Sequence, residues 1–256
     1  MSCFCFGTNA NENKNKKRYK IGILRIDYEY PPIAGDVDDE RSFDFGVEYE
    51  VVEGLTFQNA QQGILSAEII SSFKTAIRKL EKKNVIGLSG DCGFMMAYQK
   101  LVCDISKLPV FMSSLLQTPI IAASIEDHET IGILSANSDT LKPNLKKLMT
   151  ECGVNVNLEQ IYVIGCQEIP GFDAVAKGEK VNSKLVNKGI EKIIKHSLVG
   201  HPNTKAFLME CTELPCYSDT VRYISGLPVF DIITLINLFY ASSTDNPNFG
   251  INGWDI

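Results

Sequence analysis

The tetrapeptide Leu-Pro-Val-Phe occurs twice in this chain, at 108–111 and 227–230, and each copy follows a cysteine at the same distance, Cys92 in one case and Cys211 in the other. The two cysteines and the two tetrapeptides share a single offset of 119 residues. A repeat at one fixed offset in a chain of 256 residues predicts duplicated architecture. Two lobes of roughly 100 to 150 residues are each large enough to bury a core. A duplication that keeps the thiol in both copies implies that the thiols work as a pair.

From Tyr19 onward, short β-branched runs alternate with helical patterns, the signature of parallel sheets built from βαβ units. The expected strands are 19–26, 85–89, 110–112, 130–135, 161–164, 205–210 and 229–231. Helical periodicity covers 58–83, where Ile69, Ile70, Phe73, Ile77 and Leu80 share one face, and also 140–151 and 174–197. Phe43, Phe45, Val47, Tyr49 and Val51 alternate with polar residues instead. This is a half-buried strand at a sheet edge rather than a parallel core strand. The expected organisation is an α/β protein with residues 19–112 plus 230–256 in a first lobe and 113–229 in a second. Residues 1–18, rich in Asn and Lys, form a flexible tail. Acylation of Cys3 or Cys5 is the functional alternative for that tail.

Composition narrows the function. With 45% apolar residues, 22% charged residues and a net charge of -6, the chain lacks the basic surplus that holds nucleic acid. No apolar run has the length of a membrane helix and the first residues do not form a signal peptide. A cytoplasmic protein without stable membrane association is expected. Eight cysteines without CxxC spacing read as reduced thiols, not as a disulfide framework or a zinc site. The three histidines lie in no motif, which disfavours a Ser-His-Asp or Cys-His hydrolase.

Each paired cysteine sits just past a strand and just before a helical stretch. The carboxyl ends of parallel strands are where such sheets bind ligands, and the helix start that follows favours an anion. A thiol pKa lowered by one or more units is therefore expected for both. Two activated thiols on one cleft can remove a proton from a carbon and return one to its opposite face, which is cofactor-free racemisation. Asp91, Glu210 and Glu213 flank the thiols and either raise their pKa values by repulsion or fix their geometry. Arg25 offers its planar fork to a substrate carboxylate or pairs with Asp27 or the acidic loop Asp36, Asp38, Asp39 and Glu40. That loop reads as solvated, although it follows the first strand at the ligand-binding end. Ser113, Ser114 and Asp231 read as helix caps. Ser135, in the turn Ser135-Ala136-Asn137, is placed to bind an anion.

Gly-Asp-Cys-Gly-Phe at 90–94, Glu-Cys-Thr-Glu-Leu-Pro at 210–215, the repeated Leu-Pro-Val-Phe and the opening Ile-Gly-Ile-Leu-Arg-Ile-Asp at 21–27 resemble the aspartate/glutamate racemase superfamily over about residues 19–242. The resemblance implies two pseudo-symmetric flavodoxin-like lobes, parallel sheets flanked by helices, and an active site in the cleft between the lobes. It implies Cys92 as the base acting on a D-enantiomer and Cys211 as the base acting on an L-enantiomer. Thr212 matches a residue that helps bind the substrate carboxylate, and Glu213 stands where glutamate racemases carry histidine. Gly93 and Phe94 replace the Asn-Thr of glutamate racemases, and Phe94 serves either the core or substrate stacking. The expected activity is racemisation or epimerisation of an acidic amino acid or a relative without a cofactor, an isomerase of amino-acid metabolism compatible with a homodimer. Hydantoin racemisation, maleate-isomerase-like chemistry and an inactive binding homologue are the alternatives.

Overall fold

The β-branched runs form two four-stranded parallel sheets in the computed structural model, which describes residues 19–244. The first holds β1 (Lys20–Arg25), β2 (Gly46–Val51), β3 (Val85–Gly90) and β4 (Val110–Phe111) in the order β2-β1-β3-β4. The second holds β5 (Thr130–Ser135), β6 (Ile161–Gly165), β7 (Thr204–Met209) and β8 (Val229–Phe230) in the matching order β6-β5-β7-β8. Both central strands slip register after their first residue, between Lys20 and Ile21 and between Thr130 and Ile131. The α/β reading with paired lobes of parallel strands holds, and the repeated motif marks a repeated fold.

The edge strand needs one amendment. β2 does lie at a sheet edge and is half-buried throughout, but it pairs parallel to β1. Its alternation comes from two different coverings. Val47 and Tyr49 pack against a cluster containing Ile21, Ile23 and Tyr240, while Glu48 meets Lys20 at 2.6 Å and Glu50 meets Lys83 at 2.8 Å on the other face.

The expected helix at 58–83 is two helices, α1 (Phe57–Gln62) and α2 (Ala67–Lys82). Gly63 ends α1 in the left-handed region at φ 61°, which favours glycine, and the Ser66 side chain restarts the chain by accepting from Ile69 N. Further helices are α3 (Gln99–Ile105), α4 (Thr118–Ala122), α5 (Ser138–Glu151), α6 (Ser183–Gly200), α7 (Ser218–Ser225) and α8 (Ile232–Ser243). The pattern read at 174–197 divides into a 3-10 helix at Phe172–Lys177 and α6.

Asp231 caps α8 in a reciprocal box with Thr234, and α8 lays Ile232, Leu235 and Ile236 on the first sheet beside Ile21 and Ile23. Ser113 accepts from Leu115 N as a cap. Ser114 instead donates its hydroxyl to Met209 O at 2.7 Å, tying the segment after β4 to the end of β7. No described helix is long and apolar enough to cross a membrane. Residues 1–18, with Cys3 and Cys5, lie outside the described residues.

Candidate active site

Cys92 lies two residues past β3 and Cys211 two past β7, so the matching sheets deliver one thiol from each lobe to the same place. Both line one small cavity, together with Phe57, Gly93, Phe94, Ala136, Glu210, Thr212 and Glu213. Four of the sequence candidates beyond the thiols, Gly93, Phe94, Thr212 and Glu213, thus line the same cavity as Cys92 and Cys211. Phe94 is 3% exposed in the core cluster and also lines the cavity. The Thr212 hydroxyl donates to the Asp91 carbonyl on the other lobe, so it joins the lobes rather than standing free for a substrate. Gly93 packs against Glu210 so closely that a side chain has no room there.

The electrostatics reverse the expected activation of the thiols. Each cysteine leads into a 3-10 helix, Gly93–Tyr98 or Leu214–Tyr217, and not directly into an α-helix with a full macrodipole. Burial raises the Cys92 pKa well above the ordinary value, reinforced by Glu210, Asp91 and Glu213, while the Phe94 N–H opposes it only in part. Burial likewise raises Cys211, reinforced by Glu213 and Glu210. Both resting thiols are therefore protonated. Cys211 Sγ donates to Glu213 Oε2, a carboxyl placed to accept that proton.

Two candidates lie behind the cavity wall. Arg25 Nε sits 3.1 Å from Asp38 Oδ1 and 3.9 Å from Asp91 Oδ2, and its NH1 sits 3.7 Å from Glu29. Its guanidinium is engaged by the protein's own carboxylates, the acidic-loop alternative. Ser135 Oγ donates to Glu210 Oε2 at 2.9 Å, so the acid held by that strand-to-helix turn is Glu210 itself.

The loop at 28–42 supplies what the sequence reading left out. Most of its acidic run is not solvated: Asp36 is 2% exposed and Asp39 6%, while Glu40 at its end is exposed. Tyr30 OH donates to Asp36 Oδ2 at 2.8 Å, Asp38 N donates to Asp36 Oδ1 at 3.0 Å, and Arg41 is paired with Asp39. These donors make burial of the carboxyls tolerable. The loop crosses to the second lobe, where Tyr28 OH donates to Val175 O at 2.6 Å and Val37 N to Thr212 O at 3.4 Å. Gly35, at φ 101°, comes so near that a Cβ would lie 2.6 Å from Cys216 Cα. Tyr28 stacks on Tyr30 with ring centroids 6.2 Å apart and lies 6.3 Å from Phe57, making an aromatic rim. The signal available in sequence was position alone, a Pro-Pro turn and acids directly after the first strand.

Glu210 is fully enclosed, and burial with the neighbouring Glu213 charge raises its pKa to about 8 despite the Ser135 hydrogen bond. The folded carboxyl keeps its proton up to about pH 8, whereas the unfolded one loses it near its ordinary value of 4.5. The contribution of Glu210 to stability therefore falls as pH rises between those values and is flat beyond them. Glu210→Gln, the neutral isostere, is expected to flatten this dependence and to exceed the parent at pH 8.5 by on the order of 3 to 5 kcal/mol. Denaturant unfolding at pH 5 and pH 8.5 checks it, and parallel curves for the two proteins would refute it.

Similarity to known proteins follows this geometry in two stages. In solved structures the fold matches arylmalonate decarboxylase, at a TM-score of 0.55 and 16% identity over 90% of this chain and 94% of that one. It also matches a glutamate racemase of Bacillus anthracis, at a TM-score of 0.53 and 15% identity over 91% and 86%. The architecture is thus that of the aspartate/glutamate racemase-like proteins. No family model matches the chain.

In sequence the chain is 43% identical over 240 residues to dimethylsulfoniopropionate lyase 7 of Emiliania huxleyi, covering 92% of this chain and 70% of that protein. It is 41% identical over 239 residues to the dimethylsulfoniopropionate lyase of Durusdinium sp. clade D, covering 93% and 79%. The chain belongs to the dimethylsulfoniopropionate lyase family, a family of enzymes. This overturns the expected amino-acid racemase and the assignment to amino-acid metabolism, and it leaves the chain an enzyme without support for the isomerase class. The racemase-like fold is real, but its reaction does not travel with it.

Proposed function

We propose that the chain cleaves dimethylsulfoniopropionate by β-elimination to dimethyl sulfide and acrylate. Beyond the family, the observation that supports this most is the acidity of the cavity and its surroundings. Asp36, Asp38, Asp91, Glu210 and Glu213 gather there, with Arg25 already engaged by three of their kind. Burial raises the pKa of each of these carboxyls, and a bound sulfonium cation favours their ionisation, so the site is matched to a cation and not to a second carboxylate.

In this reaction Glu213 accepts the Cys211 proton, and the resulting thiolate takes a proton from the carbon next to the substrate carboxylate. The C–H electron pair becomes the new C=C bond. The bond from the next carbon to the sulfonium breaks, and its electrons leave on dimethyl sulfide as a neutral molecule. Dimethyl sulfide, acrylate and one proton account for every atom of the substrate, and no cofactor is required. The bound cation favours ionisation of nearby acids, which offsets the upward pull on the thiol. Cys92, kept protonated by burial, is a hydrogen-bond donor for the substrate carboxylate as negative charge builds up. This division of labour has one thiol as base and the other as donor.

The test is direct. Purified protein given dimethylsulfoniopropionate is expected to release dimethyl sulfide and acrylate in equal amounts, read by gas chromatography of the headspace and by NMR of the solution. Unchanged substrate after prolonged incubation would rule the activity out.

A further inference from the structure

Glu210 is the acid on the cavity wall to which the elimination above gives no step. It is 1% exposed, and only one of its two carboxyl oxygens is partnered. Oε2 accepts from Ser135 Oγ at 2.9 Å, whereas Oε1 is buried without a hydrogen-bond partner. Oε1 lies against Gly93, the residue that follows Cys92 on the turn of the opposite lobe. Glu210, Gly93 and the first-lobe thiol thus border the same space.

The surrounding hydrogen bonds decide where the carboxyl proton sits. Asn137 N donates to Ser135 Oγ at 3.2 Å, and the serine directs its own hydrogen to Glu210 Oε2. Oε2 is therefore an acceptor, and the proton of the neutral acid belongs to Oε1. Burial and the Glu213 charge keep the acid neutral up to about pH 8. Cys92 on the opposite turn, Cys166 just past β6, and Cys211 and Glu213 on its own turn are the titratable groups around it. None of them is a cation that would draw the proton off. The result is an O–H donor with no acceptor of its own.

The cavity has room for about one water, which is room for one acceptor oxygen beside Oε1. A carboxylate oxygen suits this donor, because a hydrogen bond to an anion is roughly twice as strong as one between neutral groups. An ionised Glu210 would repel the same oxygen. Elimination adds a second reason, since charge accumulates on the substrate carboxylate as the neighbouring carbon loses its proton. A buried carboxylic acid that stays neutral is a strong donor to such charge.

We propose that Glu210 is a catalytic residue of the lyase reaction, donating its Oε1 hydrogen to the substrate carboxylate from the second lobe while Cys92 donates from the first. The proton stays on Oε1 throughout, and Ser135 is the positioning residue that keeps it there. This rests on the lyase activity proposed above, and the experiment separates the two.

The probe is propanoate, the carboxylate end of the substrate without its sulfonium group. Its binding to the full chain is followed by ligand NMR at pH 6.5 and pH 9, with circular dichroism to confirm the fold at both. A donor lost by ionisation at about pH 8 is expected to weaken binding by about tenfold between the two values. Glu210→Gln keeps an N–H donor and cannot ionise, so it is expected to bind within about fivefold of the parent at pH 6.5 and to lose most of the pH dependence. Glu213 and the thiols titrate in both proteins, so the difference between them reads Glu210. Should that variant fail to fold, Ser135→Ala, which frees Oε2 to take the proton, is expected to weaken binding at pH 6.5 by about two- to tenfold. No binding of propanoate, equal affinity of the parent at both pH values, the parent's ratio kept in Glu210→Gln, or parental affinity in Ser135→Ala each overturns the donor even if dimethyl sulfide is released. A pH dependence abolished by Glu210→Gln in a chain that releases no dimethyl sulfide upholds the carboxylate donor and overturns the lyase activity instead.

Discussion

Cys211→Ser is expected to lower the rate of dimethyl sulfide release by on the order of a thousandfold or more, the contribution of a general base. Serine retains a small side chain that can donate to Glu213, so the local hydrogen bond survives and the cavity keeps its shape. What disappears is the accessible anion, because a hydroxyl resists ionisation far more than a thiol does. Cys92→Ser is expected to fall by only about tenfold, since a hydroxyl replaces a thiol as donor at modest cost. Cys103→Ser, at an exposed position away from the cavity, is expected to match the parent. Steady-state assays of the three variants check the order. Near-parental turnover in Cys211→Ser would refute the base assignment, and a collapse in Cys92→Ser alone would exchange the two roles.

Gly93→Ala carries the second large effect, through space and not through chemistry. A Cβ at this position would fall well inside van der Waals contact with the Glu210 carbonyl oxygen and with Glu210 Oε1. The carbonyl belongs to the backbone just past β7 and cannot swing aside as a side-chain tip can. Glu210 is also held by Ser135. The added methyl must therefore push the ends of β3 and β7 apart, at a cost of about 1 to 3 kcal/mol or more. Separation of the two lobes' thiol-bearing turns is expected to cut turnover by at least about a hundredfold. Thermal unfolding and turnover measured on the same preparation check both parts, and a variant that melts and turns over like the parent would show the contact to be soft.

The fold was legible because its signals are periodic. Runs such as Ile131 to Leu134 are buried on both faces and read as parallel strands, and the motif offset exposed the duplication. The paired thiols were found for the same reason, each being a recurring element of a recurring unit. The reaction was misread because racemisation and elimination begin with the same event, removal of a proton beside a carboxylate. They differ in what hangs from the next carbon, and no recurring motif in the chain encodes that. Tyr30, Asp36 and Phe57 belong to the loop after β1 and the start of α1, where neither helix nor strand periodicity operates. The acids at 36–39 looked like a solvated run because sequence does not reveal donors as distant as the Arg25 guanidinium, or as local as the Tyr30 hydroxyl and the Asp38 N–H.

The stitching between the lobes also bears on alignment. Thr212 on Asp91, Ser114 on Met209 and Gly93 on Glu210 pin the floor of the cleft from side to side. The loop at 28–42 reaches the second lobe through the Tyr28 hydroxyl, one long bond at Val37 and the close packing of Gly35 on Cys216. A floor pinned in this way holds the two thiol-bearing turns at a fixed separation.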